Sequence, residues 1–414
     1  MTLKRNAFYA QSGGVTSVIN ASACGVIETA AKSKKINKVL CGQNGILGAL
    51  NENLIDTSKE SKSTIAKLKN TPGGAFGSCR FKLQDPIAQK KDYDRLFEVF
   101  AAHDIGYFFY NGGGDSQDTT YKISEMAKKL KFPIQCIGVP KTIDNDLPFT
   151  DCSPGFGSVA KYVATSTLEA GLDVKSMAET STKVFILEVM GRHAGWIAAS
   201  SCLAATKAGD PPHIILLPEV PFEKSKFISQ VKQMVKQNGY CVIVASEGAQ
   251  TKNGRFLADS GLTDAFGHKQ LGGVAPVLAS MISKIGLKNH WAVADYLQRS
   301  ARHISSKTDL DQAYAVGAHA VKLALAGKTA IMPIIKRLSD SPYKWKIETA
   351  PLKNVANVEK TMPKKFISLS GFEITAAGKK YLSPLIQGEA PTKYVNGMPD
   401  VAVLKKIMIK KKIT

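Results

Sequence analysis

Three apolar segments of this chain each run directly into a loop of glycines or polar residues. The loops are Gln11–Thr16, Asn111–Ser116 and Val139–Asp146. Helix-forming sequence follows the first two loops, so strands and helices alternate along this part of the chain. Such alternation predicts an α/β domain with a doubly wound parallel sheet, in which the carboxyl ends of the strands lie along one edge. We therefore expect the three loops to lie together at that edge.

The third loop places a cation, a hydroxyl group and two carboxylates close together in sequence. These groups belong to Lys141, Thr142, Asp144 and Asp146. A cation can bind phosphate oxygens, one carboxylate can act as a base and another can bind a metal ion, which is what phosphoryl transfer requires. An Asx-rich turn, in which Asp and Asn side chains cap their own backbone, explains the same residues. The loop by itself does not decide between these two interpretations.

The glycine-rich loops offer backbone N–H groups to an anion. The glycine pair of the first loop lies between a strand and a helix, which favours either an anion site or an ordinary tight turn. The consecutive glycines Gly112–Gly114 cost conformational entropy on folding, and Asp115 at the following helix start suits a metal-phosphate group as well as a helix cap. A further loop, Gly77-Ser-Cys-Arg80, offers a guanidinium to a ligand or to solvent.

The second half of the chain repeats the α/β pattern. The apolar segments Lys183–Met190, Ile214–Glu219 and Cys241–Glu247 are predicted strands, and helical sequence separates them. At ~150 residues a domain, two or three domains are expected. We assign residues 1–152 plus about 300–345 to a first domain, and residues 153–299 plus 346–414 to a second. The prediction is two doubly wound, Rossmann-like parallel-sheet domains with the active site in the cleft between them.

Composition narrows the possible functions. The net charge is +21, yet we find no nucleic-acid-binding motif and no basic stripe interleaved with aromatic residues, so we expect no nucleic-acid partner. No apolar run reaches the ~20 residues that a membrane helix needs, and the sequence shows no signal-peptide pattern. We therefore expect no membrane partner. The dispersed cysteines are typical of buried residues in a reducing compartment, which indicates a cytoplasmic protein. The first loop also lacks the Gly-x-Gly-x-x-Gly of nicotinamide-dependent dehydrogenases.

Taken together, the loops resemble those of the phosphofructokinase family, in the family's order and over roughly residues 6 to 330. The matching residues are Ser12-Gly-Gly14, Gly77-Ser-Cys-Arg80, Gly112-Gly-Gly-Asp115, Thr142-Ile-Asp-Asn-Asp146, Met190-Gly-Arg192, Glu247 and Tyr296-Leu-Gln-Arg299. The resemblance implies an enzyme that transfers a phosphoryl group to the 1-hydroxyl of fructose 6-phosphate, giving fructose 1,6-bisphosphate.

The resemblance also implies residue roles. Asp144 would be the general base for the sugar hydroxyl, and Lys141 and Arg192 would stabilise the charge of the transferring group. The sugar phosphate would be bound by Thr142, Ile143, Asp144, Met190, Gly191, Arg192, Glu247, Tyr296, Leu297, Gln298 and Arg299. Glu247 would accept hydrogen bonds from sugar hydroxyls, and Arg299 would pair with the 6-phosphate.

Two positions bear on the phosphoryl donor. Family members that use ATP typically have glycine where this chain has Asp115, and a carboxylate there would crowd and repel the α-phosphate of a nucleotide. Lys141 adds positive charge beside the donor, which suits pyrophosphate, although some ATP-using relatives share it. The expected contacts of pyrophosphate are Gly13, Arg80, Gly113, Gly114, Asp115 and Lys141. We therefore expect pyrophosphate and ready reversal; the alternatives are ATP as donor, or sedoheptulose 7-phosphate as a further acceptor.

The metal and the assembly follow from the resemblance alone. It implies magnesium, and because Gly114 stands where the family usually has its first acidic residue, Asp115 and Asp146 are the candidate ligands. His290 replaces a basic residue that many members have before the sugar-phosphate segment. Lys183 stands where relatives have an arginine that reaches a neighbouring site, which implies a homodimer or homotetramer with a shared site.

Overall fold

The computed structural model of the chain describes residues 4–263, 269–271 and 273–413. Over these residues the strands are β1 Arg5–Ser12, β2 Ile36–Gly42, β3 Leu54–Asp56, β4 Ser78–Cys79, β5 Ile105–Gly112, β6 Gln135–Pro140, β7 Val184–Val189, β8 Ile214–Leu216, β9 Cys241–Ser246, β10 Asp259–Thr263, β11 Lys269–Leu271, β12 Asn289–Val293, β13 Ile331–Asp340, β14 Tyr343–Pro351, β15 Tyr394–Val395 and β16 Met398–Pro399.

The α-helices alternate with these strands through most of the chain. They are α1 Ile19–Ala31, α2 Ile46–Leu50, α3 Lys62–Lys67, α4 Lys90–Ala102, α5 Gly114–Lys129, α6 Phe156–Met177, α7 Trp196–Ser200, α8 Lys224–Asn238, α9 Val274–Ser283, α10 Asp295–Ser300, α11 Lys307–Leu325, α12 Leu352–Val355 and α13 Ala376–Leu382.

The chain divides into two compact units. Unit 1 comprises Met1–Ser158, Ser300–Glu359 and Gly388–Thr414, and unit 2 comprises Val159–Arg299 and Lys360–Gln387. The first unit is built on an eight-stranded sheet in the order β14-β13-β6-β5-β1-β2-β3, with β4 also paired to β1. The pairs among β2, β1, β5, β6 and β13 are parallel, while the strands at the two edges, β3 and β14, are antiparallel to their neighbours.

Aromatic packing explains why the central strands of unit 1 are buried. Phe8 of β1 stacks on Phe108 of β5 with ring centroids 5.5 Å apart, and Phe100 of α4 packs against both rings. Strand β5 is buried at almost every position, as its unbroken apolar sequence predicts. Burial on both faces fixes the position of β5, and with it the start of the glycine loop that follows.

The second unit contains a four-stranded, all-parallel sheet in the order β12-β7-β9-β8. Strand β9 is buried along its whole length, whereas β12 forms an edge whose residues are mostly exposed. Helices α8 and α9 pack against this sheet through Phe227, Val231 and Leu278. Two mostly parallel sheets with packed helices confirm the predicted α/β fold class.

The C-terminal residues divide differently from the sequence-based assignment, which gave residues 346–414 to the second domain. The structure gives that segment to unit 1 except for Lys360–Gln387. Strand β14 belongs to the first sheet because it pairs antiparallel with β13. The chain end lies along β3, where the amide of Asp56 donates to Ile407 O and the amide of Ile409 donates to Leu54 O, both at 2.9 Å. Polarity alone could not indicate that this lysine-rich tail completes a sheet edge.

The cysteines and the helices bear on two further expectations. All seven cysteines are unpaired and buried, as their dispersed spacing predicts. Among the residues that the structure describes, no helix combines the length and the apolar character needed to cross a membrane.

Candidate active site

The loops of unit 1 begin at the same level of its sheet. In the parallel register, Gln11 of β1 lies opposite Asn111 of β5, and Gly112 of β5 lies opposite Pro140 of β6. Strand β4 joins this edge because Ser12 pairs with Cys79. The chain therefore leaves these four strands side by side, which places the predicted donor residues Gly13, Arg80, Gly113, Gly114, Asp115 and Lys141 along one edge, as expected from the sequence.

Lys141 binds the first loop directly. Its side chain is 3% exposed, and Nζ donates to the carbonyl oxygen of Gly14 at 2.5 Å. Gly13 has φ +72°, and a Cβ atom at this position would lie 3.6 Å from Lys141 Nζ. Glycine is thus required by the backbone conformation, and its missing side chain leaves room beside the ammonium group. The structure brings together a buried cation and a glycine turn from strands β6 and β1.

The loop with the predicted base is fixed by short-range hydrogen bonds. The amide of Asp144 donates to Thr142 Oγ1 at 3.0 Å, and the amide of Ser153 donates to Asn145 Oδ1 at the same distance. Asn145 has φ +54°, a left-handed conformation that Asn tolerates better than most residues. Asp144 and Asp146 are half-buried, whereas Thr142 and Ile143 are buried. The turn that these contacts describe is capped by the Thr142 hydroxyl, and Asn145 binds a backbone amide eight residues further along the chain.

The glycine loop opens helix α5. Gly112 has no space for a side chain, because a Cβ atom would lie 2.0 Å from Ser116 Oγ. Gly114 differs, since no atom lies within 4 Å of the place of its Cβ. Space alone therefore does not require glycine at the position where the family usually has an acidic residue.

Asp115 lies in the first turn of α5 and is exposed. Its Oδ1 accepts from Lys82 Nζ at 2.5 Å. Lys82 was missed by the sequence analysis, because a lysine two residues beyond Arg80 in a polar loop has no distinguishing pattern. Arg80 itself is exposed and follows β4 directly. Surface ion pairs of this kind contribute about 0–1 kcal/mol to stability.

In unit 2 the loop after β7 depends on a tightly packed glycine. Gly191 has φ +124°, and a Cβ atom would lie 2.8 Å from the carbonyl oxygen of Ala194. Its amide donates to Glu247 Oε1 at 3.4 Å, and its carbonyl oxygen accepts from Ser246 Oγ. Strand β9 lies beside β7 with Ser246 opposite Val189, so Glu247 and the Met190–Arg192 segment start at one level. The structure thus brings together the predicted sugar-binding residues of these two strand ends.

The electrostatics of Glu247 are those of a half-buried carboxylate near a cation. Burial raises the pKa of Glu247, and the Arg192 guanidinium and the Gly191 amide act in the opposite direction. A carboxylate in this environment can accept hydrogen bonds from hydroxyl groups. His193, next to Arg192, is exposed.

The Tyr296–Arg299 segment begins beyond β12, another parallel neighbour of β7. The guanidinium of Arg299 stacks on the Tyr296 ring, 4.1 Å from its centroid, and the ring is 61% exposed. Leu297 is exposed as well. Gln298 is only 2% exposed, and its amide group accepts from the Met190 amide at 3.3 Å and donates to the carbonyl oxygen of Asp295 at 3.0 Å. This gives Gln298 a structural role in ordering the Met190 backbone, alongside its predicted role in substrate binding.

Two further predicted residues lie elsewhere in unit 2. The ammonium group of Lys183 donates to the carbonyl oxygens of Ala178 and Glu179. His290 is exposed on the edge strand β12. In this chain Lys183 therefore has contacts close to its own position in the sequence.

A carboxylate that the sequence analysis missed binds Gly195, at the end of the loop between β7 and α7. Both oxygens of Glu219 accept from the amide of Gly195, at 3.0 and 3.1 Å, and Oε1 also accepts from the amide of Met362 at 3.2 Å. Burial raises the pKa of Glu219, while these amides act in the opposite direction. A Leu-Pro-Glu sequence at a strand end has no feature that would have revealed this contact.

The residues at the unit 1 edge are suited to magnesium. Mg²⁺ usually takes one or two carboxylates, with phosphate oxygens and water as its other ligands. The exposed Asp115 and the half-buried Asp146 supply hard oxygen atoms of this kind. Among the described residues no cluster of three or more His, Cys, Asp or Glu side chains suits a metal ion, so a metal here would depend on the substrate for its remaining ligands.

Known proteins share the sequence pattern and the fold of this chain. The family model described as phosphofructokinase matches residues 6–324. A Halomonas elongata protein named pyrophosphate–fructose 6-phosphate 1-phosphotransferase is 62% identical over 412 residues, covering 99% of this chain and 98% of that protein. A protein of the same name from Methylococcus capsulatus is 58% identical over 411 residues, with 99% and 98% covered. The crystal structure of a pyrophosphate-dependent phosphofructokinase from Marinobacter aquaeolei is 60% identical, with a TM-score of 0.91 and coverage of 99% of this chain and 98% of that one.

Proposed function

Because the chain belongs to the phosphofructokinase family, we propose that it transfers a phosphoryl group from pyrophosphate to the 1-hydroxyl of fructose 6-phosphate. The products are fructose 1,6-bisphosphate and phosphate, and the reaction is reversible. The observation that supports the donor is Asp115 at the start of α5, on the same sheet edge as Lys141. The names of the relatives that are 58–62% identical over nearly the whole chain point to the same substrates.

The residues of unit 1 are assigned to the donor and to the attacking hydroxyl. Asp144 accepts the proton of the sugar 1-hydroxyl as the new P–O bond forms. Lys141 stabilises the charge on pyrophosphate from a buried position, where an electrostatic interaction is stronger than in water. The amide groups at the start of α5 and the Gly13 turn bind phosphate oxygens. The Thr142 hydroxyl donates a hydrogen bond to the transferring phosphoryl group.

The residues of unit 2 are assigned to the sugar phosphate. Glu247 accepts hydrogen bonds from sugar hydroxyls, and Arg299, already oriented by the Tyr296 ring, pairs with the 6-phosphate. Arg192 stabilises the negative charge that develops on the transferring group. The Met190–Gly191 backbone lines the site of the sugar.

Magnesium, the assembly and the compartment complete the proposal. Asp115 and Asp146 are assigned to bind Mg²⁺, which when bound would neutralise charge on the phosphate oxygens. The protein is proposed to be cytoplasmic and to form a homodimer or homotetramer. Light scattering on the purified protein tests the assembly: a mass near one chain would exclude it.

The activity is tested with the purified chain, fructose 6-phosphate and Mg²⁺, using pyrophosphate in one reaction and ATP in a parallel one. Asp144→Ala serves as the control for contaminating enzymes. Formation of fructose 1,6-bisphosphate with pyrophosphate alone is the expected result, whereas turnover with ATP alone would overturn the donor assignment. A third reaction with sedoheptulose 7-phosphate determines whether the longer sugar is also accepted, and no turnover with any acceptor would overturn the function.

A further inference from the structure

A buried aspartate from α11 binds the segment that follows the reactive loop. Asp309 lies in the first turn of α11 and is 1% exposed. Its Oδ1 accepts from the amide of Gly155 at 2.8 Å. Its Oδ2 accepts from the amide of Ser158 at 3.0 Å and from Ser158 Oγ at 2.5 Å. One carboxylate thus satisfies three donors around the start of α6, from a position more than 150 residues away in sequence.

The segment that Asp309 binds is itself paired with the reactive loop. Gly155 forms a parallel bridge with Thr142, and the amide of Thr142 donates to the carbonyl oxygen of Pro154 at 3.2 Å. Thr142 Oγ1 in turn accepts from the amide of Asp144. A continuous series of hydrogen bonds therefore runs from the Asp309 carboxylate, through Gly155 and Thr142, to the backbone of the proposed base.

The packing at Gly155 makes this contact sensitive to small shifts. Gly155 has φ +112°, and a Cβ atom would lie 2.4 Å from Thr16 Cγ2 and 3.2 Å from the carbonyl oxygen of Thr142. The backbone of the following segment thus lies directly against the loop, with no side chain to absorb a movement. A displacement of Gly155 would be transmitted to Thr142.

We propose that Asp309 is a positioning residue, which fixes the Thr142–Asp144 backbone through Gly155 so that the base lies in line for proton transfer. The proposal rests on the function proposed above for Asp144. Positioning is consequential because a misplacement of a reacting group by about 1 Å can cost roughly 100-fold in rate.

The charge state of Asp309 is consistent with this role. Burial raises the pKa of Asp309 to about 6, while the Ser158 and Gly155 donors and the charge of Arg302 act in the opposite direction. Arg302 is also buried, and its guanidinium donates to the carbonyl oxygens of Lys69 and Ala390. Near neutral pH the carboxylate is therefore ionised, and both of its oxygens accept hydrogen bonds.

The test compares Asp309→Asn with Ser158→Ala. An Asn side chain offers one acceptor oxygen and one NH2 group, so whichever side the oxygen takes, the NH2 group faces an N–H donor on the other side and displaces the Gly155–Ser158 backbone. Ser158→Ala removes one hydrogen bond at α6 but leaves the Gly155 contact in place. We expect D309N to lower kcat roughly 10- to 100-fold with KM for fructose 6-phosphate within about threefold. We expect S158A to retain kcat within about twofold, because it costs only one hydrogen bond.

Amide hydrogen exchange gives a second measurement that does not depend on turnover. D309N should accelerate exchange in peptides that contain residues 142–155, whereas S158A should leave exchange at 142–146 unchanged. A folded D309N with wild-type kcat and exchange would overturn the proposal. Equal losses in both variants would also overturn it, since that outcome means that the carboxylate serves only to cap α6.

Two further cases are covered by measurements of their own: D309N that does not fold, and a chain that lacks the proposed activity. If D309N is not recovered folded, Asp309→Glu retains the charge but moves the carboxylate, and it should lower kcat with KM kept; wild-type kcat in folded D309E would contradict the proposal. If the wild-type chain does not use pyrophosphate and fructose 6-phosphate, the proposed function fails, and the exchange comparison still decides whether Asp309 fixes the loop.

Discussion

The loop after β6 in unit 1 and the loop after β7 in unit 2 show two ways of fixing reactive groups at the end of a parallel strand. Both follow a buried strand, and both are bound by a carboxylate from elsewhere in the chain, which is buried for Asp309 and half-buried for Glu219. Asp309 binds the Gly155 amide next to the first loop, and Glu219 binds the Gly195 amide at the end of the second. The two loops thus share one kind of support, a carboxylate that accepts hydrogen bonds from backbone amides.

The two loops differ in what their own residues do. In unit 1 the loop also contains a contact of its own, between Thr142 and Asp144, and its lysine is buried. In unit 2 the Met190–Gly191 backbone is ordered by side chains from two other strand ends, Glu247 and Gln298. The difference teaches that the proposed base belongs to a locally rigid loop, whereas the proposed sugar site is assembled from several segments.

The largest expected effect is on the locally rigid loop. Asp144→Ala should reduce kcat by roughly 10²- to 10⁴-fold, the usual contribution of a general base, because no other group would take the proton. Binding of fructose 6-phosphate, measured by calorimetry, should change little because the proposed sugar contacts of unit 2 remain. An unchanged kcat would show that Asp144 is not the base. The loop after β6 would then have no catalytic role to compare with the sugar-binding role of the loop after β7.

The next effect concerns the choice of phosphoryl donor, which the comparison assigns to unit 1. Asp115→Gly should lower kcat/KM for pyrophosphate by about tenfold, equivalent to about 1.4 kcal/mol, and should admit ATP, because a repulsive carboxylate is removed. Steady-state kinetics with both donors measure this. Lys82→Met is the matched control: it removes the partner of Asp115 but keeps the carboxylate, so ATP should still be rejected. Unaltered donor kinetics in D115G would show that Asp115 does not select the donor.

A smaller effect tests the carboxylates that support the two loops. Glu219→Gln leaves one acceptor oxygen for the Gly195 and Met362 amides and should cost about 1 kcal/mol, or roughly fivefold, chiefly in KM for fructose 6-phosphate. Kinetics of E219Q and D309N side by side should therefore show a KM effect in one and a kcat effect in the other. The opposite pattern would break the comparison between the two loops.

The last expected effect concerns the free energy of unfolding and not turnover, and it is a dependence of stability on pH. Asp309 has a pKa of about 6 in the folded chain against its ordinary value of 3.8, so between these values the folded state binds more protons than the unfolded state. The contribution of Asp309 to the free energy of unfolding is therefore present below about pH 4 and is lost as pH rises to about 6. In urea unfolding, wild type should lose stability relative to D309N over this range, by at most about 1.4 kcal/mol per pH unit. A constant difference would mean that the folded-state pKa of Asp309 is not raised.

Much of the fold and of the candidate site could be predicted from sequence because the informative residues are local. A buried strand, a glycine or carboxylate loop and a helix follow one another within about thirty residues, and periodicity is sufficient to recognise them. This is why the loops that contain Gly13, Lys141 and Asp144 could be located before the structure was known, whereas the roles of these residues came from the resemblance to the phosphofructokinase family. The register of the sheet then places the unit 1 loops along one edge, as expected.

The tertiary structure alone decided which distant residues support these loops. Asp309, Glu219 and Lys82 bind their partners across gaps of 154, 24 and 33 residues, and the chain end completes an edge of the first sheet. An acid in the first turn of a helix looks in sequence like any residue that favours the helix dipole. The sequence determined the loops because their chemistry depends on neighbours along the chain; the structure decided their supports because a hydrogen bond depends on distance in space.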